Sequence, residues 1–198
     1  MRRSTVVAVL FALMIPVGLL AQEPGANPQA REGFWISFGV GGGPKWLGCD
    51  ELCSYDFGNG SAGSLSLGGT LNERWLIGAD MVGWFPWSGA DEGYNGDTDG
   101  FGAVLFTARH YPRVERGFFL TGGLGIGGID LQDDDLQATG YVVKVGAGYD
   151  LRVGRTFSFT PSLSLVQTFS TEARVADDTV DGTVNFGMAV LGVAVTWH

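Results

Sequence analysis

The sequence predicts an all-β fold, closed into an eight-stranded antiparallel up-and-down barrel, on three observations. Glycine supplies 33 of the 198 residues, as many as the 12 basic and 21 acidic residues together. Large apolar residues alternate with small ones at period two along segments of strand length. The connections between those segments are short and long in turn. Glycine inside helices costs roughly 0.5–1 kcal/mol each, so this composition opposes a bundle of long helices. Only 7 prolines and no every-third-residue glycine exclude a collagen repeat. Hydrophobic residues at 45% and aromatics at 12% oppose general disorder.

Residues 1–21, MRRSTVVAVLFALMIPVGLLA, read as a secretory signal peptide. Arg2 and Arg3 make the positive start, Val6 to Ala21 the apolar run, and Ala21 the small residue before a cut at Gln22. The run contains Pro16 and is short for an anchoring helix. No Cys follows the cut to take a lipid, and no later stretch reaches the roughly 18 apolar residues of a membrane helix. Residues 22–32 are then expected as a periplasmic N-terminal linker and 33–198 as the barrel domain. Loss of Arg2 and Arg3 takes the net charge from −9 to −11.

Eight strands are expected, over 33–43, 61–71, 74–85, 100–111, 117–129, 138–152, 156–169 and 184–197. In the first, Phe34, Ile36, Phe38 and Val40 share one face and Trp35, Ser37, Gly39 and Gly41 the other. In the sixth, Tyr141, Val143, Val145, Ala147, Tyr149 and Leu151 oppose Val142, Lys144, Gly146, Gly148 and Asp150. In the seventh, Phe157, Phe159, Leu163 and Leu165 oppose Ser158, Thr160, Ser162 and Ser164. A soluble two-layer protein would carry Lys and Glu on its wet face. Glycine, Ser and Thr instead suit the crowded inside of a narrow barrel, with the large face toward lipid. Closure also removes the strand edges that lipid cannot satisfy. In 184–197 the apolar phase slips after Val190, as a bulge or an apolar-lined upper interior would produce. The facing of 100–111 is ambiguous for the same reason.

The connections at 72–73, 112–115 and 153–155 are short, and those at 44–60, 86–99, 130–137 and 171–183 are long. The long ones hold fifteen acidic residues against two basic ones, Lys45 and Arg174, a net of −13. Arg74, Arg113, Arg116, Arg152 and Arg155 gather at the opposite end. Trp46, Trp84, Phe85 and Trp87 near the long connections, and Trp75, Tyr111, Phe118, Tyr149, Phe157 and Trp197 near the short ones, are expected as two girdles at the lipid–water boundaries.

With these features the chain resembles the small outer-membrane β-barrel proteins of diderm bacteria over residues 33–198. GFWISFGVGGG, ARHYPRVERGFFLTGGLGIGG, VVKVGAGYDLRVG and the terminal LGVAVTWH carry the resemblance. It implies an outer-membrane location with short turns and the N-terminus in the periplasm and the long acidic loops outside. It also implies a C-terminal assembly signal, with Gly192, Val195 and Trp197 in its places, read by the barrel assembly machinery. His198 departs from the family's terminal aromatic, and Leu191 stands where a polar residue is common. Family members serve adhesion, stress resistance, lipid modification and small-solute passage, so the architecture does not choose a role.

The candidate sites are few. Cys49 and Cys53 in CDELC are expected as a structural disulfide of a secreted loop, since the spacing is not CxxC and no His is near. Asn95, Asp97 and Asp99 before Gly100 resemble the start of a calcium loop, but Phe106 stands where the bidentate Glu belongs. No cofactor is expected beyond loosely held Ca²⁺ or Mg²⁺. Asp80, Arg109, Lys144 and Asp150 fall within strands and are expected as an interior ion-pair network. Only His110 and His198 could serve as a catalytic imidazole, both at the short-turn end, and no Ser-His pairing is evident.

The expected protein is therefore a monomeric, non-enzymatic membrane barrel whose acidic loops meet ions, lipopolysaccharide or partners. Its net charge opposes nucleic acid. The alternatives are a soluble lipocalin-like barrel with the large face inward, a narrow channel for small apolar solutes, and a lipid-A-modifying enzyme.

Overall fold

A computed structural model describes residues 31–49, 56–86, 100–131, 136–153, 156–175, 178–180 and 184–198. The described chain forms β1 (Phe34–Cys49), β2 (Asp56–Asn72), β3 (Trp75–Pro86), β4 (Gly100–His110), β5 (Phe118–Leu131), β6 (Leu136–Tyr149), β7 (Leu151–Val153), β8 (Phe157–Val175), β9 (Asp178–Val180) and β10 (Val184–Trp197). β1 to β6 pair antiparallel in chain order, β8 pairs with β6, and β10 pairs with both β8 and β1. The ring is thus closed by eight staves. β6 and β7 form one of them, interrupted at Asp150, and β9 extends the edge of β8. An up-and-down meander with short turns makes this closure the simplest way to satisfy every edge.

The period-two pattern resolves into an outside and an inside. Phe38, Val40, Met81, Phe106, Leu124, Ile126, Tyr141, Leu163 and Leu191 stand exposed on the outer wall. Trp35, Ser37, Ser66, Asp80, Ser158, Thr160 and Thr196 are buried within. The lipocalin-like expectation, with the large face inward, therefore fails. β4 also resolves: Phe101, Ala103, Leu105, Thr107 and Arg109 point in, and Val104 and Phe106 point out.

Several expectations are corrected. Of the two readings of the phase slip in 184–197, the apolar-lined upper interior holds and the bulge does not, because β10 keeps one register against both neighbours. Phe186 and Met188 simply point into an apolar upper interior. The stretch 44–60 is largely strand, since the β1–β2 ladder continues to Leu47 and Asp56. The composition hid this, because Gly and Pro break the alternation there. Lys45, assigned to that loop, is buried inside, with its ammonium 5.4 Å from the Trp84 ring centroid. Trp84 and Tyr111, assigned to the girdles, also point inward. Trp75, Phe118, Tyr149 and Trp197 do stand on the outer wall at the short-turn end, and Phe85 does so higher up.

Candidate functional site: the barrel interior

The interior is stacked in layers. Nearest the long loops, Leu47, Val82, Trp84, Phe101, Leu105, Ile129, Val142, Val166, Phe186 and Met188 form an apolar plug. Phe186 stacks on Phe101 at 4.8 Å between ring centroids and meets Trp84 edge-on at 6.0 Å. Offset and edge-on rings each add about 0.5–1.5 kcal/mol beyond their buried area. The ten side chains come from inward positions of seven staves, β1, β3, β4, β5, β6, β8 and β10, so the plug forms only when the ring closes.

Below the plug lies a space of ≈ 60 Å³ walled by Gly39, Gly41, Ser64, Ser162, Ser164 and Lys144, among others. Lys144 Nζ bonds Asp80 Oδ2 at 2.7 Å, and Thr107 Oγ1 donates to Asp80 Oδ1 at 3.3 Å. One level lower, the Arg109 guanidinium lies 4.3 Å from the Trp35 ring centroid and 5.2 Å from that of Phe119. Trp35, Leu76, Tyr111 and Phe119 make a second, smaller apolar cluster there.

At the short-turn mouth the chemistry is directional. Tyr111 donates its hydroxyl to Asp150 Oδ2 at 2.7 Å, and Thr160 donates to Oδ1 at 2.8 Å. Thr160 shares a bond with Thr196 at 3.2 Å, and Thr196 shares one with Ser37 at 2.8 Å. This chain of hydroxyls crosses the seam where β10 closes on β1. Arg31 Nε lies 3.9 Å from Asp150 Oδ2. Asp150 reaches inward because the stave breaks there, its N–H donating to Gly117 O at 2.9 Å. A Cβ at Gly117 would collide with the Asp150 carbonyl, so the approach requires glycine.

Burial, then the Asp150 carboxylate, pushes the Tyr111 phenol above its ordinary range, so it stays a proton donor. Burial, then the Arg152 charge, pushes the terminal imidazole of His198 down to about 4.

The four charged residues singled out in the strands are thus placed at three levels of the interior. Asp80 and Lys144 form one ion pair and Arg109 is stacked between rings, while Asp150 belongs to the mouth. Cys49 ends β1; its side chain and all of Cys53 lie outside the described residues, among which there is no disulfide. Asn95, Asp97 and Asp99 also lie outside them. Among the described residues no group of three His, Cys, Asp or Glu could hold a metal. Gly192, Val195 and Trp197 lie on β10, opposite Gly41, Phe38 and Ile36 of β1. A Ser-His contact does exist, Ser158 Oγ to His198 Nε2 at 3.1 Å, with Ser158 wholly buried. His110 stacks with Trp75 at 4.4 Å.

No protein-family model matches the chain, and no curated protein does. Among solved structures it is similar to neisserial surface protein A, with a TM-score of 0.52 and 13% identity over 84% of this chain and 98% of that one. The chain has the fold of the small eight-stranded outer-membrane β-barrels. This barrel is also similar to Ail of Yersinia pestis (TM-score 0.47, 14% identity, 82% of this chain and 99% of that one). A third likeness is to OprG of Pseudomonas aeruginosa (TM-score 0.43, 12% identity, 86% of this chain and 99% of that one).

Proposed function

We propose that the protein is an integral outer-membrane barrel with no catalytic role, which anchors acidic loops at the cell surface. The observation that carries this reading is the outer wall. Phe38, Val40, Leu124, Ile126, Tyr141, Leu163 and Leu191 are each more than half exposed, on adjoining staves. In water so large an apolar surface drives association, whereas hydrocarbon accepts it. The turns at Asn72–Trp75 and between Tyr111 and Gly117 are short, which supports a periplasmic position for that end. The acidic stretches that the sequence gathers at the other end then belong to the cell surface. There they meet divalent cations and, through them, the phosphates of lipopolysaccharide. The plug of Trp84, Phe101, Phe186 and Met188 opposes a role as a channel for small apolar solutes.

Membrane fractionation tests the reading. The protein is expected to stay with outer membranes through alkaline extraction and to need detergent for release; release by alkali alone would sink it. A second arm uses Leu124→Arg on the outer wall, which in lipid costs about 2–4 kcal/mol of folding stability near the midplane. The same change on a water-facing wall would cost almost nothing. Lipid A mass spectra with and without the gene are expected to coincide, and a modified species would replace the non-enzymatic reading with an enzymatic one.

A further inference from the structure

We propose that residues 31–33 form a strap across the short-turn mouth, bolted shut by the Arg31 side chain. This rests on the fold alone and holds whichever way the barrel sits in the membrane. In the ring order β10, β1, β2, β3, β4, β5, β6, β8, the start of β1 lies four staves from β5, on the opposite wall. Arg31 spans that distance. Its Nη1 donates to Val114 O at 3.4 Å and its Nη2 to Arg116 O at 3.2 Å, both in the turn that joins β4 to β5. Its guanidinium lies 3.6 Å from the centroid of the Tyr111 ring, and its Nε faces Asp150. The side chain has no solvent-exposed surface.

The backbone is shaped for the crossing. Gly33 has φ +77°, a left-handed conformation that turns the chain from the mouth into β1. The Gly33 carbonyl accepts the Thr70 N–H at 2.9 Å, which fastens the strap to the end of β2. A guanidinium suits the bolt because its planar fork serves two carbonyls at once while its face rests on an aromatic ring. A lysine could do one or the other. Residues 31–33 thereby close this mouth, and Arg31 is the side chain that holds them there.

Trypsin reads the bolt directly, because it must take the Arg31 side chain into its own pocket to cut Arg31–Glu32. The full chain, refolded in detergent micelles, is digested and the fragments weighed by mass spectrometry. Cutting after Arg31 is expected to be at least tenfold slower than in urea-unfolded protein. Asp150→Asn, which withdraws the facing charge, is expected to speed that cut at least tenfold while barrel digestion elsewhere stays unchanged. Should Asp150→Asn fail to refold, Tyr111→Leu removes the ring under the bolt and carries the same expectation. Wild-type cleavage after Arg31 as fast as in the unfolded chain, with the barrel intact, would overturn the strap, and so would refolded variants that leave the rate unchanged.

Discussion

The half of the interior nearest the long loops and the half nearest the short turns fill the same narrow tube with opposite materials. The first is packed with Trp84, Phe101, Phe186, Met188 and their neighbours. The second sets Asp80 with Lys144, Asp150 with Tyr111 and Thr160, and the hydroxyls of Ser37 and Thr196 around a smaller apolar cluster of Trp35, Leu76, Tyr111 and Phe119. The difference teaches where tolerance resides. Dispersion contacts are many, weak and without direction, so an apolar plug loses stability in proportion to the atoms removed. A buried ion pair is all or nothing, because deleting one partner strands the other charge.

Three changes put that contrast to the test. Lys144→Met should be the most damaging, since it leaves the Asp80 carboxylate buried beside Thr107 without its ammonium. A loss of about 3–5 kcal/mol in unfolding free energy is expected from urea titration of the refolded barrel. Asp80→Asn combined with Lys144→Met should recover most of it, because the stranded charge is gone. If the single change cost no more than a plug truncation, the two halves would not differ as described. Met188→Ala should cost about 2–3 kcal/mol, the lower part of the usual range, because the neighbouring rings can close on the space.

The smallest effect is a pH dependence at the mouth. His198 is held to about 4, below its ordinary 6.5, so between these values the unfolded chain binds a proton that the folded one refuses. Its contribution to stability is therefore complete above about pH 6.5 and declines as pH falls toward 4. His198→Gln should remove that slope from urea midpoints measured across the window, and an unchanged slope would place its origin elsewhere.

Asp80 and Lys144 could be suspected from the sequence, because a charge at an inward position of a lipid-facing strand must find a partner. Which of the four expected network members would pair could not, since that depends on which side chains reach each other through the tube. Ser37 and Thr160 were read on the small-residue faces of their strands, but the hydroxyl chain they make with Thr196 was not. Arg31 gave no such signal. It lies in a polar stretch ahead of the first strand, where an exposed arginine is the ordinary expectation.

What the sequence determined by itself was the wall: strand periods, eight staves, glycines where backbones crowd, large side chains on one face and acid in the long connections. These follow from local rules, since alternation and turn length act between residues close in the chain. What fills the tube was decided only by closure. Lys45, Trp84 and Tyr111 read as loop or girdle residues and became interior ones. Their surroundings come from staves far apart in sequence, and inside and outside acquire meaning only once β10 meets β1.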